Sequence, residues 1–391
     1  MSMNHGWDQE VLREGLDACG ADAWLLYDFR GVNPVASRVL NVGGMGSRRL
    51  FVLLPRDGEP AAIVHRIEQR SLRDFPGRVQ VYSAWKELRD ALAAMVSGRT
   101  LAMEISPRDA VPYLDRVPFG VVELIESLGG KVVSSSPLVT WFAARWTEGE
   151  RQAHRKAAEF IAQLARSTLR DVVGAGEGVR ETEIQARLVT AIRGAGLNLD
   201  HPPIVAFGAN AADPHYEPRA GHDAVLARDQ VVLIDLWAAD PANPVWADQT
   251  WMGFSGPTPP ERVARVWQVV RDAREAAIGF VMQALEAGRD LRGFEVDRVT
   301  RQVIQAAGFG DAFVHRTGHS IDRDLHGSGP HCDDYETHDD RLLVEGVGFS
   351  IEPGVYLPGE FGIRSEVNMY WGPEGGVVTP SERQESLILP G

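Results

Sequence analysis

The chain has 391 residues, of which 44% are apolar and 24% charged, and its net charge is −14. That length asks for more than one hydrophobic core, so two domains are expected, and the acidic balance argues against nucleic acid or an anionic membrane as partner. Its two cysteines, Cys19 and Cys332, exclude a disulfide framework, and a polar start with no run long enough to span a bilayer completes the expectation of a cytoplasmic protein.

The first part of the chain alternates helices and strands. Asp8 to Cys19 has helical spacing, with Val11, Leu12 and Leu16 on one face. Ala23–Tyr27 reads as a strand. Leu50–Leu54 and Ala61–Val64 read as a hairpin across Pro55-Arg56-Asp57-Gly58. Val79–Tyr82 is a strand, Trp85–Val96 an amphipathic helix, and Thr100–Glu104 and Lys131–Val133 are further strands with a helix between them. This order predicts a mixed α/β sheet domain over residues 1–145. The domain carries little chemistry. Gly43-Gly44-Met45-Gly46 lacks the spacing of a nucleotide-binding loop, and His65 at a strand end reads as structural.

Ser134-Ser135-Ser136-Pro137 is turn-like, and Thr147 with Glu150 forms a capping box that starts a long helix reaching about Val173. Thr182–Arg193, Val263–Leu285 and Phe294–Ala307 read as further helices. Strands fall between and after them, so residues 146–391 are predicted as an α+β domain of long helices on an antiparallel sheet.

Those strands hold five potential metal ligands. Asp235 ends the apolar run Val231–Ile234, and Asp248 lies in the alternating Val245-Trp246-Ala247-Asp248. His319 follows Gly318, Glu352 precedes Pro353-Gly354, and Glu366 follows Gly362-Ile363-Arg364-Ser365. Four carboxylates and one imidazole form a hard, oxygen-rich set able to hold two divalent ions with shared carboxylates, which is the equipment of metal-assisted hydrolysis. Glu352 doubles as general base. Arg364, two residues from Glu366, either orients that carboxylate or grips a substrate carboxylate. His315 reads as a support for the site, because Gly318 argues against a helix that would align it with His319. His331-Cys332-Asp333 reads as a solvated loop. Trp237, Trp246 and Trp251 read as strand-packing residues, and His201 leaves open whether it lies near the site or only in a loop.

These residues resemble the Xaa-Pro peptidases, the group of prolidase, aminopeptidase P and creatinase. Leu233-Ile234-Asp235-Leu236 and Ala247-Asp248-Gln249-Thr250 resemble the two aspartate motifs of that family, and Asp240–Pro244 reads as the turn absorbing a slightly long spacing. His315-Arg316-Thr317-Gly318-His319, Ile351-Glu352-Pro353-Gly354 and Gly362–Glu366 resemble the remaining ones. The likeness spans nearly the whole chain. It implies a pita-bread fold for 146–391 and metal binding by Asp235, Asp248, His319, Glu352 and Glu366, with manganese first and cobalt or zinc as alternatives. It also implies active-site roles for His215 and His326. The substrates implied are short proline-containing peptides, cleaved as an Xaa-Pro dipeptidase, with Xaa-Pro aminopeptidase as the alternative and a non-catalytic binding protein behind both. A homodimer is implied as well. Ser320, Asp322 and Gly327 depart from the family pattern. Where prolidases carry a carboxylate-binding arginine this chain has His338, which becomes the expected substrate contact.

Overall fold

The computed structural model describes residues 7–40 and 46–391, so Gly43 to Met45 of the glycine-rich stretch lie outside the described residues. The chain divides into two compact units, at Ala143 and Ala144.

In the N-terminal unit, α1 (Gln9–Cys19) starts where the Asp8 carboxylate accepts from the N–H groups of Glu10 and Val11, and stops at Gly20 with φ 62°. There follow β1 (Ala23–Phe29), α2 (Pro34–Leu40), β2 (Arg49–Pro55), β3 (Ala61–His65), β4 (Arg78–Tyr82), α3 (Trp85–Val96), β5 (Thr100–Met103), α4 (Phe119–Ser127), β6 (Lys131–Ser134) and α5 (Ser136–Val139). The sheet order is β4-β3-β2-β1-β5-β6, with β2 antiparallel to β1 and β3 and the remaining pairs parallel. Successive residues of β1 serve opposite faces. Trp24 and Leu26 join the core under α1 and α2, whereas Ala23, Leu25 and Tyr27 join the core under α3 and α4. The turn expected at Ser134–Pro137 is a short helix instead. Pro137 sits in its first turn, where a missing N–H costs nothing.

The C-terminal unit opens with α6 (Glu148–Ala175), whose capping box between Thr147 and Glu150 is formed. Then come α7 (Glu181–Gly194), β7 (Ile204–Phe207), β8 (Val231–Ala239), β9 (Trp246–Phe254), α8 (Glu261–Glu286), α9 (Gly293–Ala306), β10 (Ser320–Ile321), β11 (Gly348–Ile351), β12 (Gly354–Leu357), β13 (Phe361–Arg364), β14 (Val367–Gly372) and β15 (Gly375–Thr379). They form three antiparallel sheets, β7-β8-β9, β10-β11-β14-β15 and β12-β13. No helix among the described residues is long and apolar enough to cross a membrane.

The burial of β8 explains where the polar residues gather. Val232, Ile234, Leu236 and Ala238 pack with Ala158, Ile161, Ala165 and Leu169 of α6. On the other face Val231 and Leu233 pack with Val266 and Val270 of α8, but the same face continues into Asp235 and Trp237. Every residue of β8 and β9 is buried, so the aspartates have no ready access to bulk water. His331-Cys332-Asp333 is also buried rather than solvated. The His331 N–H donates to the Asp339 carboxylate at 2.8 Å, and Gly318 and Cys332 pair through their backbones. The Asp333 carboxylate accepts from the N–H groups of Tyr335, Glu336 and Thr337 and from the Thr337 hydroxyl. A buried carboxylate so supplied is stable inside the fold, and neighbours in the sequence do not announce it.

Candidate metal centre

The β8–β9 register builds half of the centre. Asp235 stands opposite Thr250 and Trp237 opposite Asp248. Asp235, Trp237, Asp248 and Thr250 therefore share one face, with the two aspartates as diagonal neighbours. The loop between the strands is closed by the Asp240 carboxylate, which accepts from the N–H groups of Ala242 and Asn243. The other half comes from strand ends. His319 immediately precedes β10, Glu352 lies between β11 and β12, and Glu366 lies between β13 and β14. Asn368 of β14 locks the halves together, donating to the Asp248 carbonyl at 2.8 Å and accepting from its N–H at 2.9 Å.

Asp248, His319 and Glu366 each present a ligand atom, all within 4.8 Å of one another. His319 Nε2 is 3.4 Å from both Asp248 Oδ2 and Glu352 Oε1. Asp235 joins through Arg364, whose Nη2 donates to Asp235 Oδ2 at 2.5 Å. Arg364 Nε donates to Thr250 Oγ1 at 2.8 Å, and that hydroxyl donates onward to Glu366 Oε2 at 2.9 Å. Arg364 thus orients Asp235 directly and Glu366 at one remove. Ser350 Oγ accepts from the His319 N–H at 2.9 Å and donates to Glu352 Oε1 at 3.0 Å. Gly318 is required by closeness, since a Cβ there would lie 1.9 Å from the Ser350 carbonyl oxygen.

A sequence model of metallopeptidase family M24 matches residues 148–371, more than half of the chain. The chain belongs to that family. A probable dipeptidase PepE of Mycobacterium bovis is 26% identical over 348 residues, covering 88% of this chain and 86% of its own. An Xaa-Pro dipeptidase of Lactobacillus delbrueckii subsp. lactis is 31% identical over 223 residues, 56% of this chain and 55% of its own. Among solved structures, dipeptidase PepE of Mycobacterium ulcerans superposes with a TM-score of 0.74 at 22% identity, over 98% of this chain and 97% of that one. A prolidase of Thermococcus sibiricus gives 0.68 at 25% identity, with full coverage of both chains. The C-terminal unit has the pita-bread fold, and the protein is a metallopeptidase.

The electrostatics suit the divalent ions that M24 peptidases use. Asp235 Oδ1, Asp248 Oδ1 and Glu366 Oε1 are buried and take no hydrogen bond from the described residues. Such oxygens are costly unless a cation meets them. Burial, then the charges of Asp235 and Glu352, pushes the Asp248 carboxyl well above its usual range. Burial, then Asp248, Glu352 and Asp235, does the same to Glu366. Burial raises Asp235 too, against the pull of Arg364. Glu352 rises to about 7, burial outweighing Arg364 and Arg316. His319 is driven well below its usual range by burial and then by His326 and Arg316, which leaves the neutral, ligating imidazole.

The other expected site residues divide. His326 stacks on His319 with ring centres 4.2 Å apart. It is solvent-exposed on one side, yet the packing around it, then Arg316 and His215, holds its imidazole below the usual range. His215 is exposed, and it is near enough to contribute to the electrostatics of both Asp235 and His326. His338 lies apart. It is exposed, its Nδ1 is 2.5 Å from Asp334 Oδ1, and its ring stacks on Phe294 of α9. None of these contacts is to the five-residue group. His315 supports the site: its Nε2 is 2.8 Å from the Tyr356 hydroxyl, which accepts from Arg364 Nη1 at 3.2 Å. Trp237 and Trp246 stand on the aspartate face, while Trp251 packs beneath α6.

Several contributors escaped the sequence reading. Thr250 stood in the aspartate motif, but its link to Glu366 did not show. Glu181, fully buried at the start of α7, accepts from the Phe207 and Ala224 N–H groups, from Asn210 Nδ2 and from the Tyr216 hydroxyl. It thereby fixes the segment that carries His215. Asp297 of α9 accepts from the N–H and hydroxyl of Thr317, two residues before His319. Nothing local in the sequence separates Glu181 and Asp297 from ordinary helix-surface acids.

Proposed function

We propose that this M24 peptidase is a dinuclear Xaa-Pro dipeptidase, which hydrolyses the bond preceding proline in short peptides. The observation that carries the reading is the set of three unbonded buried carboxylate oxygens on Asp235, Asp248 and Glu366, the last two grouped with His319, in a chain with Xaa-Pro dipeptidases among its relatives. Asp235, Asp248, His319, Glu352 and Glu366 would hold two divalent ions, with manganese favoured by the oxygen-rich set and cobalt or zinc able to replace it. Bound there, the ions supply Lewis-acid polarisation of the scissile carbonyl and acidify the attacking water.

The remaining work falls to side chains. Glu352 takes the water's proton and passes it to the proline nitrogen as the C–N bond breaks, so one water is consumed and two amino acids leave. His215 and His326 donate hydrogen bonds to the substrate and to the charge that develops on its carbonyl oxygen. Arg364 keeps Asp235 and, through Thr250, Glu366 in position, which limits reorganisation during the reaction.

The test is a matched pair of substrates, an Xaa-Pro dipeptide and the corresponding Xaa-Pro-Xaa tripeptide, given to protein stripped of metal and then reloaded with manganese. Metal-dependent cleavage confined to the dipeptide supports the proposal. Equal or better cleavage of the tripeptide moves the assignment to Xaa-Pro aminopeptidase. A loaded protein that cleaves neither refutes a proline-peptide substrate.

A further inference from the structure

Residues 199–203 leave the ladder beside the metal centre. Asn198 pairs with Ala239 and Ile204 with Asp235, so this stretch bows outward as it passes residues 236–238 of β8. Asp200 lies in the bow. Its Oδ1 accepts from the Trp237 indole Nε1 at 2.6 Å and from the His201 N–H at 2.8 Å. Trp237 is 8% exposed, shares a face with Asp235 and stands directly opposite Asp248. Asp200 Oδ2 takes no hydrogen bond from the described residues, and no ion pair among them engages this exposed carboxylate. Its charge is nevertheless felt at both Asp248 and His326.

An exposed aspartate is ordinarily a mobile, solvated charge. This one is fixed by an indole that is itself anchored in the strand carrying Asp235. Together they make an amphipathic wall, with an aromatic body next to the metal centre and a fixed negative charge beyond it. In an Xaa-Pro substrate the α-ammonium is joined to the scissile carbonyl through a single carbon, so it stays at the centre itself. A charge further out is within reach of a long side chain only.

Resting on the Xaa-Pro reading, we infer that Asp200 is a specificity-determining residue that selects lysine or arginine as the residue before proline. The aliphatic stem lies along Trp237 and the cationic head pairs with Asp200 Oδ2.

The experiment compares kcat/KM for Lys-Pro and norleucine-Pro, which differ by the terminal ammonium, on the manganese-loaded wild type and on Asp200→Asn and Asp200→Lys. The wild type is expected to favour Lys-Pro by about fivefold, the size of an exposed ion pair. The preference vanishes in Asp200→Asn, inverts in Asp200→Lys, and shrinks in the wild type at high salt. A merely structural role for Asp200 changes neither the ratio nor its salt dependence, so a ratio equal in wild type and Asp200→Asn overturns the inference. If the dipeptides are not cleaved but Lys-Pro-Ala is, the dipeptidase reading fails while the same ratio is read on Lys-Pro-Ala and norleucine-Pro-Ala. If nothing is cleaved, calorimetric binding of the two dipeptides gives the ratio instead.

Discussion

Glu352→Gln separates the burial of charge from the chemistry. In the metal-free protein the Glu352 carboxyl rises from 4.5 to about 7, mainly through burial. A carboxyl held above its unfolded value gives its full stabilisation below about 4.5, where both folded and unfolded chains carry the proton. That contribution is lost as pH rises to about 7, because the unfolded chain gives up its proton first. The interval is worth about 3 kcal/mol. Glutamine has no proton to lose. The metal-free variant should therefore gain about 3 kcal/mol on the metal-free wild type between pH 4 and pH 8. Buried groups that do not feel the Glu352 charge, such as His154 and His331, cancel in that difference, while release of the Glu352 repulsion on Asp248 and Glu366 adds to the variant's gain. The assay is urea unfolding of chelator-treated protein at stepped pH, followed by tryptophan fluorescence. With saturating manganese the order should reverse, since the variant has lost a proposed ligand, and turnover should fall almost to nothing. A stability difference that stays flat with pH would refute the reasoning about burial; near-normal turnover would remove Glu352 as the base.

His326→Ala should lower turnover by about 10²–10³-fold while the bound metal stays constant, as expected for loss of a hydrogen-bond donor to the reacting carbonyl; metal loss with unchanged turnover per ion would contradict that role. Gly318→Ala should destabilise the protein by about 1–3 kcal/mol and weaken metal retention, because the new Cβ collides with the Ser350 carbonyl beside His319; thermal unfolding and metal content check this, and wild-type values for both would sink it. His338→Ala should leave KM for dipeptides unchanged, since His338 is exposed and engaged with Asp334 and Phe294; a clear rise would assign it a substrate contact. Glu181→Gln should cost about 1–3 kcal/mol in stability, because the buried N–H of Phe207 and the part-buried N–H of Ala224 lose a charged acceptor; an unchanged denaturation midpoint would show that the segment carrying His215 is held by other means.

The sequence by itself determined what depends on neighbours a few residues apart. Asp8 to Cys19 carries the spacing of the first helix, Thr147 and Glu150 start the long one, and the apolar run Val231–Ile234 before Asp235 and the alternation through Val245–Asp248 mark strands that bring carboxylates to one face. Those signals are local, because capping and periodicity act within a turn or two. The proposed ligand types also came from the sequence, since metal chemistry restricts which side chains serve. Tertiary structure decided which group holds which. The Thr250–Glu366 bond joins residues 116 apart, and the Arg364–Asp235 pair joins residues 129 apart. Glu181 and Asp297 became supports of the site only once α7 and α9 were packed against the segments they hold. His338 moved to the surface, and the His331-Cys332-Asp333 segment moved into the core, for the same reason: burial is fixed by the whole chain's packing and not by the polarity of a tripeptide.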